Sequence, residues 1–134
     1  MYLMGGTRTG HLATVREDGR PHVAPVWFVL DGDDIVFMTG ADTVKGRNLR
    51  RTGRAAMSVD DPTPPYAFVH VAGIVELTDC GDDFDTAWPY GLAISARYMG
   101  DDRAEQYAWR NTVPGELLVR LTPQHVSAQA DLAD

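Results

Sequence analysis

At 134 residues the chain is one domain by length (1–134) and can bury a single modest core. A hydrophobic fraction of 44% with 23% charged residues is ordinary for a globular protein, no run approaches the roughly 20 apolar residues of a membrane span, and Met1-Tyr2-Leu3-Met4-Gly5-Gly6 lacks the make-up of a signal peptide. A formal charge of −7 argues against nucleic acid as a general partner, the lone Cys80 rules out an intrachain disulfide and agrees with a cytoplasmic protein, and the four histidines show no metal-ligand spacing.

In chain order, His11 to Arg16 alternates as a first strand, and Glu17-Asp18-Gly19-Arg20 closes it with a hairpin-type Asp-Gly turn. Pro21 to Leu30 reads as a second, nearly uncharged strand. Pro21 and Pro25 cannot donate ladder hydrogen bonds, so this strand is expected to be bulged or to lie at an edge around Pro25. Asp31-Gly32-Asp33-Asp34 turns the chain into a third strand, Ile35 to Thr39. Asp42 to Arg51 reads as a helix with Asp42 or Thr43 as its N-cap. Gly46 inside it weakens the helix by about 1 kcal/mol relative to alanine and therefore suggests close backbone approach or an early stop.

Arg54 to Val59 is the fourth strand, and Asp60 to Pro65 is a stiff loop. Tyr66 to Leu77 is a long fifth strand, with Gly73 marking a bulge or sharp bend. Asp82 to Tyr98 is helical but interrupted by Pro89 and Gly91, Asp101 to Arg110 is a second short helix, and Gly115 to Ala128 is the last strand, broken at Pro123. Six strands joined mostly by hairpins, with a few short helices, point to a mainly β fold: a closed or partly closed antiparallel barrel.

The positive charge is not spread evenly. Lys45, Arg47, Arg50, Arg51 and Arg54 fall in one short stretch of an otherwise acidic chain, a pattern suited to a small anion. Helix N-terminal N–H groups, the positive end of the helix dipole and nearby cations make a ready phosphate site, and the apolar strand Pro25-Val26-Trp27 beside it can floor a flat, phosphorylated cofactor. Trp27 fits a core position equally well. His22 reads as a cofactor contact or, somewhat better, as a surface residue after a turn. Tyr66 and Phe68 read first as strand packing, and His70 and His125 as ordinary strand residues. Cys80, in the polar stretch Thr78 to Asp83, has no nucleophile's setting.

The stretches Gly19-Arg20-Pro21-His22-Val23-Ala24-Pro25-Val26-Trp27-Phe28 and Lys45-Gly46-Arg47-Asn48-Leu49-Arg50-Arg51 resemble the pyridoxamine-phosphate-oxidase-like superfamily. His11 to Val15, Ala96 to Gly100 and Val113 to Arg120 extend the likeness over nearly the whole chain, and the closest branch is the actinobacterial one that uses the deazaflavin coenzyme F420. The resemblance implies a six-stranded antiparallel split β-barrel of the FMN-binding type. It also implies a homodimer whose two cofactor sites lie at the subunit interface and are built from both chains.

By that resemblance Lys45, with Thr39 and Thr43, contacts the cofactor phosphate. Pro25, Val26 and Trp27 run beside the ring, Met38, Thr39 and Gly40 follow its edge and linker, and Gly46, Arg47, Asn48 and Arg50 complete the basic segment. His22 falls near the linker or acidic tail, Tyr66 and Phe68 cover the site from the partner chain, and Arg97 and Tyr98 are placed to gate the acceptor pocket. Classical FMN-dependent oxidases carry two arginines where this chain has Ala24 and Val44, together with a C-terminal motif rich in tryptophan and arginine that this chain lacks. Those departures argue against pyridoxamine phosphate oxidation and favour coenzyme F420 over FMN, with Arg47, Arg50 and Arg51 free for a long acidic tail.

Relatives also begin with a helix for which only Met1 to Arg8 stand here. The expected activity is hydride transfer from the reduced deazaflavin to an unsaturated or conjugated small molecule. No catalytic side chain or metal is required of the protein, because the cofactor carries the chemistry. The alternatives are an FMN-binding flavoprotein and a non-catalytic cofactor carrier, with a haem-binding relative third.

Overall fold

In the computed structural model, which describes residues 6–132, seven strands and three helices follow one another as β1 (Gly10–Val15), β2 (Pro21–Val26), β3 (Phe28–Asp31), β4 (Asp34–Gly40), α1 (Val44–Thr52), β5 (Arg54–Asp61), β6 (Ala67–Asp79), α2 (Phe84–Met99), α3 (Asp101–Asn111) and β7 (Glu116–Ala130). The expectation about a helix ahead of the first strand falls mostly outside the described residues. All seven strands form one antiparallel sheet in the order β2-β1-β5-β6-β7-β4-β3. The two edge strands, β2 and β3, are consecutive in the chain and joined by Trp27 alone. A sheet whose two edges share a single linking residue has curled round on itself, so the architecture is a barrel with a seam at Trp27.

The inner face holds Leu12, Phe28, Ile35, Phe37, Met57, Val59, Leu117, Val119 and Leu121, joined by Leu49 of α1, all almost wholly excluded from solvent. A second apolar cluster lies outside the barrel, where Ala87 and Ile94 of α2 pack on Val29, Val36 and Leu118. Inner and outer residues alternate along β5 (Ala55, Met57 and Val59 buried), as a half-buried strand requires.

Three features differ from the sequence expectation, each for a physical reason. Pro21 to Leu30 is two strands rather than one, giving seven in place of six. The chain here crosses from one edge of the sheet to the other and must leave the β1 ladder, after Val26, before joining β4 at Phe28. Helix α2 runs unbroken through Pro89 and Gly91. Packing of Ala87, Gly91, Ile94 and Ser95 holds the helix together despite the missing N–H of Pro89. Gly91 is a contact position, since a Cβ there would stand 2.3 Å from Thr112 Oγ1. Finally, β7 continues through Pro123. The register shifts between Ala72 and Gly73, Pro123 sits opposite Gly73, and a Cβ on Gly73 would come within 2.0 Å of the Thr122 carbonyl oxygen.

Candidate functional site

Beside the seam lies an open cleft of about 430 Å³ lined by Thr9, Pro25, Val26, Trp27, Met38, Lys45, Ile94, Asn111 and Glu116. Trp27, excluded from both ladders, is 40% exposed and stacks on Tyr98 of α2, with ring centroids 4.9 Å apart and planes 2° from parallel. The Tyr98 hydroxyl donates to the Arg8 carbonyl at 2.6 Å and accepts from the Phe28 N–H at 3.3 Å. Arg97 lies over the Phe28 ring and donates Nη1 to the Phe28 carbonyl. Backbone groups that the seam removes from a ladder are thus satisfied by two side chains of α2. Burial pushes the Tyr98 hydroxyl's pKa up, so it stays a neutral donor near pH 7.

Lys45 enters the cleft from the first turn of α1. Thr43 is the N-cap: its hydroxyl accepts from the Gly46 N–H at 3.1 Å and donates to the Gly40 carbonyl at 2.7 Å, with Thr39 Oγ1 3.4 Å away. The capping bond leaves the N–H groups of Val44 and Lys45 as the open donors of the helix start. Gly46 is buried tightly against the end of β4, where a Cβ would stand 2.1 Å from the Gly40 carbonyl oxygen. The close approach suggested by Gly46 is therefore what brings the helix N-terminus onto the strand.

Glu116, the first residue of β7, pairs with Gly40 and faces the same cleft as Lys45. Burial pushes its carboxyl above the ordinary glutamate pKa. Lys45 pulls it back and Asp79 adds to the rise. Cys80, buried nearby, is pushed up to about 11 by burial and by the charges of Glu116 and Asp79, which makes it an inert thiol.

Of the residues singled out in the sequence, Pro25, Val26, Trp27, Met38 and Lys45 line the cleft together, and Thr39, Gly40, Thr43 and Gly46 build the strand-to-helix corner behind it. Arg47 and Asn48 face away, toward the β1–β2 turn. Asn48 is 3% exposed and donates to Thr14 Oγ1 at 3.0 Å, tying α1 to β1. Val44 turns the same way, and Arg50 is solvent-exposed. His22 is half-buried with Nδ1 enclosed and unpaired. Tyr66 and Phe68 lie at the start of the β6 ribbon and do not line this cleft; Phe68 stacks on His70.

Thr9, Ile94, Asn111 and Glu116 complete the lining without having been anticipated. They come from four separate places in the chain, and no local pattern marks them. The cleft as a whole offers an apolar and aromatic wall along the seam and a cation with free helix N–H groups at one end. That donor set suits a flat ring carrying a phosphate. Glu116 is the one group that opposes an anion there.

The curled antiparallel sheet has the architecture of the split β-barrel proteins. One such protein is a pyridoxamine 5'-phosphate oxidase-related, FMN-binding protein from Nostoc punctiforme (21% identity, TM-score 0.65, covering 90% of this chain and 73% of that one). Within that class the chain belongs to the family described as pyridoxamine 5'-phosphate oxidase, whose model matches residues 3–130. A solved F420 reductase is 30% identical, with TM-score 0.70 and coverage of 94% of both chains. A conserved hypothetical protein of Mycobacterium tuberculosis shares the fold at TM-score 0.81 with 24% identity, covering 97% of this chain and 81% of that one. No curated protein matches the chain.

Proposed function

We propose that the seam cleft binds coenzyme F420 and that the protein is an F420-dependent oxidoreductase acting on an unsaturated or conjugated small molecule. The observation that carries this reading is the pairing of an apolar, aromatic wall with Lys45, the single cation of the cleft lining among the described residues. A phosphodiester carries one negative charge, which one lysine and the Val44 and Lys45 N–H groups can meet; an FMN monoester carries more. The likeness to the F420 reductase supports the same choice. Pro25, Val26, Trp27 and Met38 form the surface against which the ring lies, Tyr98 holds Trp27 in plane, and Lys45 sets the phosphate end. The reduced deazaflavin, when bound, supplies a hydride.

Titrating the purified protein with F420 and with FMN is expected to give tighter binding of F420, with a salt-sensitive contribution from its acidic tail. Tighter binding of FMN at every ionic strength would instead assign the chain to the FMN-binding alternative. Cofactor binding without consumption of any acceptor would make it a carrier.

The reading extends to a homodimer with shared sites. On the outer face Val23, Ala13, Ala56 and Ala72 stand in one cross-strand row, and Val15, Val23 and Ile74 are exposed, giving an apolar sheet face suited to a second copy. Light scattering at micromolar concentration is expected to give twice the chain mass of 14.7 kDa. A monomer with cofactor present would exclude a shared site.

Glu116 gives binding a pH sign. A phosphate beside Lys45 brings negative charge toward a carboxyl whose pKa is already raised, so binding takes up a proton and affinity falls as pH rises through the ionisation of Glu116. Each further unit by which the bound phosphate raises that pKa is about a tenfold loss of affinity across the titration. Glu116→Gln is expected to abolish the proton uptake and to tighten binding at neutral pH. Calorimetry in buffers of different ionisation enthalpy measures it, and unchanged uptake in the variant would clear Glu116 of the effect.

A further inference from the structure

The opposite flank of α1 carries a second cleft, of about 450 Å³, that shares no lining residue with the first. Helix α1 presents Val44, Arg47, Asn48 and Arg51 to it, at the spacing of one helix face, and the β1–β2 turn contributes Arg16, Glu17, Asp18 and Arg20. Four guanidinium groups therefore face two carboxylates.

One of those carboxylates is already engaged. Asp18 accepts from Arg20 Nε at 2.8 Å and from the Arg20 backbone N–H at 3.1 Å, so Glu17 alone opposes Arg16, Arg47 and Arg51.

The frame that holds these charges is fixed on both sides. The turn is closed by Arg16 N–H to the Arg20 carbonyl at 2.8 Å and Gly19 N–H to the Arg16 carbonyl at 2.9 Å, with Gly19 at φ +88°. Arg51 donates Nη2 to the Val15 carbonyl and to Asn48 Oδ1, while buried Asn48 anchors to Thr14. The Nε and Nη1 groups of Arg51 remain available for single N–H contacts, whereas Nη2, shared by both bidentate edges of its guanidinium, is engaged. The side chains of Arg16 and Arg47 hold no hydrogen bond or ion pair among the described residues. Like charges gathered on a rigid frame repel one another until an anion joins them, and guanidinium forks match phosphate and carboxylate oxygens equally well. A monovalent anion offsets only one of the three charges.

We propose that this cleft is a second anion site, separate from the seam cleft, which binds a compact oxyanion with two or more negative charges through Arg16, Arg47 and Arg51. The proposal does not depend on which cofactor the seam cleft takes.

The test is calorimetric titration of the full chain at low ionic strength with pyrophosphate, tricarballylate and acetate. It is run in the Lys45→Ala background so that the seam cleft's cation does not contribute. Both polyvalent probes are expected to bind at least about tenfold more tightly than acetate. Adding Arg16→Gln and Arg47→Gln together is expected to weaken them by about tenfold or more, and Arg47→Gln alone, at an exposed position, to act in the same direction. Arg50→Gln, exposed on the same helix but outside the cleft, is expected to leave both affinities within about twofold, and circular dichroism melting verifies that every variant is folded. Equal binding by the doubly substituted chain, or an equal loss from Arg50→Gln, would overturn the assignment.

Discussion

Lys45→Ala is expected to weaken F420 binding by ten- to a hundredfold. The substitution removes a charge-assisted contact to the cofactor phosphate, a loss on the order of 1.5–3 kcal/mol. Among the described residues Lys45 is the only cation lining the seam cleft, so no neighbour there takes over its role. Arg47→Ala, titrated with a tail-trimmed deazaflavin, serves as the control, because Arg47 faces the other flank of the helix and its loss is expected to leave the affinity for ring and phosphate nearly unchanged. Equilibrium titration monitored by cofactor fluorescence measures both. Parent-like affinity in Lys45→Ala would put the phosphate outside the seam cleft.

Gly46→Ala is expected to damage stability and cofactor binding together. The added Cβ would stand 2.1 Å from the Gly40 carbonyl oxygen and 3.0 Å from that of Ala41. Both are backbone atoms at the end of a strand paired to β7, so neither can swing aside as a flexible side chain would. Helix α1 must move off the strand, at a cost on the order of 3 kcal/mol in stability despite alanine's better helix propensity. The same displacement carries Lys45 and the open N–H groups away from the cleft. Urea denaturation and cofactor titration on one preparation are expected to show both losses. Unchanged stability would mean that the close approach is not maintained in solution.

These two residues also show what could be read without a structure. Gly46 interrupts a basic helix for no reason of composition, and Gly73 interrupts an apolar strand. In both cases a glycine out of place marked a backbone that had to come close, to β4 and to β7 respectively. Pro25 and Trp27 were legible for a related reason, since a proline-bearing apolar strand signals an irregular ladder and the chain leaves its ladder two residues later. Glu116, Asn111, Ile94 and Thr9 were not legible. Each looks locally like an ordinary strand, helix or turn residue, and only tertiary structure brings them to one wall, as the pairing of β7 with β4 does for Glu116 and the packing of α2 does for Ile94. The charge run from Lys45 to Arg51 was visible as a unit, but one turn of helix divides it between two clefts, and that division depends on what lies on each side of α1.

The order of the strands also has a consequence for how the chain reaches this shape. Three pairings, β1–β2, β3–β4 and β5–β6, join neighbours along the chain and can form as soon as each hairpin exists. β7 pairs with β6 on one side and β4 on the other, and among the described residues it is the only strand joining the β2-β1-β5-β6 group to the β4-β3 group. Of these seven strands it is also the last in chain order. Until Glu116–Ala130 is available, two half-sheets connected by Trp27 and α1 wait with unpaired edges, so the slow step of assembly is the docking of this strand between them.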